Sequence, residues 1–211
     1  MARTVLLDFP RPAHTIAFVT SRKVNIERKT RETDISVTLD PESDAQPALR
    51  TGLPFFDHML TSMAFHGRFF LEVNGTGDTD VDAHHLVEDV GLVLGQAFSA
   101  ILEKGPVLRF GHAVVPMDEA LSEVTIDVCG RPTLVLHSTF PQPYAGTFDL
   151  SLLREFFTGL CSQARISLHV DVRQGENSHH MAESAFKALG RALRQAYSPD
   201  GREMSSKGRI G

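Results

Sequence analysis

One five-residue motif occurs twice in this chain. His84-His85-Leu86-Val87-Glu88 returns as His179-His180-Met181-Ala182-Glu183, an offset of 95 residues (179 − 84). At the same offset Gly95 matches Gly190, and each motif follows an apolar helical stretch, a strand-like stretch and a Gly-containing loop. A repeat of this size predicts a duplicated strand–strand–helix–strand–helix unit. Two copies are too few for a solenoid, so the expected class is α+β with pseudo-two-fold symmetry, helices packed on mixed β-sheets. The 211 residues, 42% of them apolar, suffice for a sizeable core.

Alternating strands are expected at 24–26 and 35–39, a helix from Pro54, a strand at 69–73 and a long helix over 82–102. The second copy predicts strands at 124–128 and 133–137, a helix over 148–160, a strand at 166–172 and a helix over 179–197. Residues 1–20 read as an N-terminal extension. Residues 21–211 read as one domain of two repeats, about 21–105 and 106–200, closed by a polar and basic tail.

Charge and cysteine content narrow the function. The formal net charge is −5 and no Lys/Arg run exceeds two residues, which argues against nucleic acid or an anionic membrane as partner. Cys129 and Cys161 are the only cysteines, so a disulfide framework is not expected and a reducing compartment fits. The first 20 residues, interrupted by Pro10, Pro12 and His14, lack a signal-peptide core, and a cytoplasmic enzyme is expected.

The histidines point to metal. Successive helical residues diverge by about 100°, so adjacent histidines do not readily grip one ion. A Glu four residues after the first His lies about 40° round from it, and about 60° from the second. Each motif therefore offers a His/Glu pair and a second His splayed aside, which suits two metals; which His joins the Glu stays open on geometry alone. Under a pseudo-two-fold each ion takes the pair of one copy and the spare His of the other. The preceding helices offer His58, 26 residues before His84, and Glu155, 24 before His179. Imidazole and carboxylate ligands without thiolates suit Mn²⁺, Fe²⁺ or Zn²⁺.

These motifs carry a resemblance. Arg31-Glu32-Thr33, Thr51-Gly52-Leu53-Pro54-Phe55-Phe56-Asp57-His58, Asp82-Ala83-His84-His85-Leu86-Val87-Glu88-Asp89, Pro116-Met117-Asp118-Glu119-Ala120, Gly175-Glu176-Asn177-Ser178-His179-His180 and Ser205-Ser206-Lys207-Gly208 resemble, in this order, the imidazoleglycerol-phosphate dehydratase family of histidine biosynthesis. The resemblance covers about residues 22–208. It implies halves like a ribosomal small-subunit protein domain, a homo-oligomer of 24 subunits with sites between chains, and two Mn²⁺ per active site. It assigns His58, His85, His179 and Glu183 to one ion, and His84, Glu88, His180 and the position of Glu155 to the other. Many members carry His where this chain has Glu155. The resemblance also makes Glu32 the acid/base group. It places His66, Arg109, Arg131, Lys187, Ser205, Ser206 and Lys207 around imidazole glycerol phosphate, the small-molecule substrate. From the residues alone, a two-metal hydrolase and a non-enzymatic metal-binding oligomer compete with the dehydratase.

Overall fold

The computed structural model describes residues 21–201. The N-terminal extension and the tail residues Ser205, Ser206 and Lys207 lie outside the described residues. The first half runs β1 (Val24–Lys29), β2 (Thr33–Asp40), β3 (Ala48–Arg50), α1 (Pro54–Gly67), β4 (Phe70–Gly77), α2 (His84–Leu102). The second runs β5 (Phe110–Met117), β6 (Ala120–Asp127), β7 (Thr133–His137), β8 (Tyr144–Ala145), β9 (Phe148–Asp149), α3 (Leu153–Ala164), β10 (Ser167–Gln174), α4 (Ser178–Ala196). Each half forms a four-stranded mixed sheet, in the orders β1-β2-β4-β3 and β5-β6-β10-β7, with β3 and β7 the parallel edge strands.

The duplicated α+β plan therefore holds, with one more strand in each four-stranded sheet than the sequence pattern displays, and a short β8–β9 hairpin added in the second half. β3 is three residues long, too short to show alternation. β5 is hidden for a different reason. Its buried positions are Gly111 and Ala113, while Phe110 faces out, so the polar/apolar code is inverted. A Cβ at Gly111 would lie 2.0 Å from the Ala192 carbonyl oxygen, so only a residue without a side chain lets α4 lie this close to the strand.

Burial alternates along β2 and β6 with period two, and their inward residues Ile35, Val37, Leu39, Val124 and Ile126 face the helices. α2 lies on β1, β2 and β4; α4 lies on β5, β6 and β10. Across the middle, α1 packs on α4 and α2 on α3, so the helices of one half meet those of the other. By length and composition α2 could span a bilayer, yet Val87, Val90, Val93, Leu94, Ala97 and Ile101 are all buried between the first sheet and α3.

Glycines set how closely the helices approach. A Cβ on Gly190 of α4 would lie 2.0 Å from the Met63 carbonyl oxygen of α1, and one on Gly95 of α2 would lie 2.6 Å from that of Leu160 in α3. These are the two glycines of the sequence repeat, and Met63 and Leu160 are 97 residues apart (160 − 63). The offset matches His58 and Glu155 (155 − 58), and also β4 and β10 (167 − 70). The pseudo-two-fold is thus carried by packing as well as by motif.

Candidate metal centre

Both His-His-x-x-Glu motifs occupy the first turns of long helices. Asp82 Oδ1 accepts from the His84 backbone N–H at 2.8 Å, and Asn177 Oδ1 accepts from that of His179 at 2.9 Å. These contacts satisfy donors that a helix start would otherwise leave open, and they fix where the histidines begin.

Three side chains converge where α1 crosses α4. Glu183 Oε2 lies 3.2 Å from His58 Nε2 and 3.4 Å from His179 Nε2. Their ligand atoms all fall within 4.8 Å of one another. His58 and His179 are each 45% exposed, whereas Glu183 is buried. The second carboxylate oxygen of Glu183 is held from behind, by Ser62 Oγ at 3.1 Å and Lys187 Nζ at 3.0 Å. Burial pushes this carboxyl up, but Lys187 and His58 together outweigh it, and its pKa is lowered. The arrangement comes from spacing: His58, Ser62 and His66 recur every four residues on α1, facing His179, Glu183 and Lys187 at the same spacing on α4. His66 has a lowered pKa, first through burial and then through the Lys187 and Arg191 charges.

The pseudo-symmetric cluster is looser. His84 Nε2 and Glu88 Oε2 are 3.7 Å apart, and His84 and Glu155 line one cavity of about 320 Å³ between α2, α3 and the second sheet. The difference follows from the residues behind the carboxylates. At the 97-residue offset Ser62 corresponds to Gly159, and at the 95-residue offset Lys187 corresponds to Leu92, so Glu88 lacks the two anchors that hold Glu183.

The splayed histidines lie outside the trio formed by His58, His179 and Glu183. His85 Nδ1 donates to Asp78 at 3.0 Å, with Glu32 next at 3.8 Å. His180 Nδ1 donates to Glu119 Oε2 at 2.9 Å. Each imidazole has a raised pKa, chiefly from that hydrogen bond, to Asp78 for His85 and to Glu119 for His180. Glu119 is held down to about 2, first by His180 and then by the Asn177 backbone N–H.

The remaining sequence-predicted residues divide. Arg109 is clamped by Asp127, with Nε to Oδ1 at 2.7 Å and Nη2 to Oδ2 at 3.1 Å, and it lies over the Phe110 ring. Arg131 is exposed, with Nη1 3.4 Å from the Cys129 carbonyl oxygen. Lys187 sits against Glu183, as above. Sequence reasoning missed Ser62, Asp78 and Glu119 as supports, because their only signal is a hydrogen bond to a predicted ligand.

Duplicated α+β halves and helix-borne imidazole–carboxylate clusters define a class of two-fold, metal-site-like proteins. The comparisons narrow it. The imidazoleglycerol-phosphate dehydratase family model matches residues 51–193. The dehydratase of Acidithiobacillus ferrooxidans is 50% identical over 182 residues, 86% of this chain and 92% of that protein. That of Nitrosomonas europaea is 48% identical over the same shares. The crystal structure of the Pyrococcus furiosus IGPD matches with a TM-score of 0.77 at 38% identity, covering 87% of this chain and 99% of that one. The Staphylococcus aureus dehydratase matches with a TM-score of 0.72 at 34% identity, covering 84% and 99%. The chain belongs to the imidazoleglycerol-phosphate dehydratase family and is an enzyme of histidine biosynthesis, a hydro-lyase.

Proposed function

We propose that this enzyme uses two Mn²⁺ ions to convert D-erythro-imidazole glycerol phosphate into imidazole acetol phosphate and water, working in the cytoplasm as a homo-oligomer. The observation that carries the reading is the convergence of His58, His179 and Glu183 at the α1–α4 crossing. Adjacent donors on an octahedral ion with bonds of about 2.1 Å are about 3 Å apart. The His58–Glu183 and His179–Glu183 spacings of 3.2 and 3.4 Å fit that. His85 would complete this set, and His84, Glu88, Glu155 and His180 would hold the second ion. The ions supply Lewis-acid charge and a template for the imidazole ring.

The remaining chemistry belongs to side chains. Glu32 sits at the β1–β2 hairpin tip, 57% exposed and close to His85, where its carboxylate can reach a bound ligand. It takes the proton from the carbinol carbon next to the ring-bearing carbon, whose hydroxyl leaves with a proton as water; the resulting enol becomes the ketone. Arg131, Ser205, Ser206 and Lys207 bind the phosphate, with Arg109 joining when the anion competes with Asp127. His66 and Lys187 line the approach beside Glu183. Exposed Phe65, Phe110 and Tyr144 fit burial between subunits in a 24-subunit shell.

The test is metal-stripped protein incubated with imidazole glycerol phosphate, with and without Mn²⁺. Manganese-dependent imidazole acetol phosphate, lost in Glu32→Gln while manganese stays bound, supports the reading. Release of inorganic phosphate instead would replace it with a two-metal hydrolase.

A further inference from the structure

The strand registers establish which residues of the two halves correspond. β2 and β6 begin 87 residues apart (120 − 33). Their hairpin partners keep that offset, since Lys29 pairs with Asp34 and Pro116 with Leu121. The hairpin tips are therefore Arg31-Glu32 in one half and Asp118-Glu119 in the other, and Glu32 and Glu119 are counterparts. His85 and His180 are counterparts through the motif itself.

Symmetry alone would give both glutamates the same contact, but they differ. Glu119 holds His180 Nδ1 at 2.9 Å through Oε2, while its Oε1 accepts from the backbone N–H groups of Asn177 at 2.9 Å and Glu176 at 3.2 Å. Glu32 stands back at 3.8 Å, because Asp78 already accepts the His85 Nδ1 hydrogen. Asp78 is the first residue after β4. The first residue after β10 is Gly175, where a Cβ would lie 2.3 Å from Met181 Cγ. The second half thus has no carboxylate in the place of Asp78, and no room for a side chain there without moving Met181.

We infer that Glu119 is a positioning residue that orients His180 as Asp78 orients His85, and that this exchange of supports leaves its twin Glu32 available for proton transfer. An imidazole donating from Nδ1 to a carboxylate keeps its lone pair on Nε2, which in His180 lies 3.7 Å from the exposed Asp118 Oδ2. The carboxylate fixes the ring's rotation and tautomer and strengthens the nitrogen as a ligand. Glu119 is bound at both oxygens, which suits holding a ring. Glu32, bound less closely and more exposed, suits moving a proton. The inference rests on the two-metal reading proposed above.

The test compares Mn²⁺ binding to the full chain by titration calorimetry for wild type, Glu119→Gln, Asp78→Asn and Glu32→Gln. The Glu119→Gln amide turns donors toward His180 Nδ1, so one of the two ions should bind about 10–100-fold more weakly and the other unchanged. Asp78→Asn should weaken one ion in the same way, and Glu32→Gln should retain both. Solid-state NMR of metal-free wild type with ¹⁵N-labelled histidine reads the tautomers with no substitution, so the question stays decidable if a variant fails to fold. His180 and His85 should both carry the proton on Nδ1. Wild type that binds two ions, with Glu119→Gln affinities unchanged or His180 protonated on Nε2 alone, overturns the inference and leaves the function standing. Wild type that binds no manganese overturns both.

Discussion

Gly190→Ala tests whether the α1–α4 crossing is set by backbone contact. The added Cβ would sit 2.0 Å from the Met63 carbonyl oxygen, while real Cβ contacts essentially never fall under 3.0 Å, so the helices must part by about 1 Å. Two effects oppose each other. Alanine gains about 1 kcal/mol over glycine in helix propensity. Overpacking costs about 1–3 kcal/mol, and more where the obstacle cannot rotate away, as a helix carbonyl cannot. The clash should win by about 2 kcal/mol, which for a chain of this size lowers Tm by about 4–8 °C. The same crossing carries the 3.2 Å His58–Glu183 spacing, two turns from Gly190. A constellation that works within about 0.5 Å should bind Mn²⁺ more weakly when loosened by twice that. Differential scanning calorimetry of metal-free protein reads the first effect, and the added-manganese shift in Tm reads the second. Gly95→Ala, with its nearest carbonyl at 2.6 Å, should lose less. Gly201→Ala, with nothing within 4 Å, should be neutral. A Gly190→Ala protein that melts at or above wild type would refute the argument, because propensity would have outweighed the contact.

Two further substitutions probe the core around the sites. Tyr197 is buried, its hydroxyl has no hydrogen-bond partner among the described residues, and burial pushes its pKa up. The fold therefore holds the neutral phenol while the unfolded chain ionises near its ordinary value of about 10. Stability from this group is complete below that pH and is lost as pH rises past it. Tyr197→Phe should gain about 1 kcal/mol at neutral pH and remove this part of the alkaline loss, which melting curves from pH 8 to 11 would detect. Asp89, buried beside Glu88, accepts from Arg28 Nε at 3.0 Å and from the Thr33 hydroxyl, tying β1 and β2 to α2. Asp89→Ala should cost about 2–3 kcal/mol, below the usual loss for a broken buried pair because Arg28 is 40% exposed. An unchanged urea midpoint would show that the pair carries no stability.

The sequence displays the candidate ligands more readily than the residues that support them, for a physical reason. His84, Glu88, His179 and Glu183 show because helical spacing and chemical identity coincide, and the repeat singles out His58 and Glu155 on the preceding helices. Ser62 and Glu119 carry no such pattern. Each is an ordinary polar residue until the fold brings it against a candidate ligand from 121 or 61 positions away. Strand β5 is hidden because its two most buried positions are Gly111 and Ala113, the signature of a neighbouring backbone rather than of a hydrophobic face. Lys187 reads from the family pattern as a phosphate ligand, yet its nearest anion here is Glu183 at 3.0 Å. A cation that neutralises a buried carboxylate can turn toward phosphate only as that carboxylate gains another positive partner.

Duplication explains why neither cluster closes within one half. The first histidine of each motif faces its own glutamate and the other half's preceding helix, so the trio at α1–α4 draws on both halves. The second histidine is turned about 100° away and is fixed there, by Asp78 in one copy and Glu119 in the other. Rotating His85 or His180 back toward its own helix's glutamate would break its hydrogen bond to Asp78 or Glu119. On the two-metal reading proposed above, each set would instead be completed by a second surface that already presents an oriented histidine. The two clusters also differ in their supports: Ser62 and Lys187 anchor the Glu183 carboxylate, while Gly159 and Leu92 stand in the corresponding places behind Glu88.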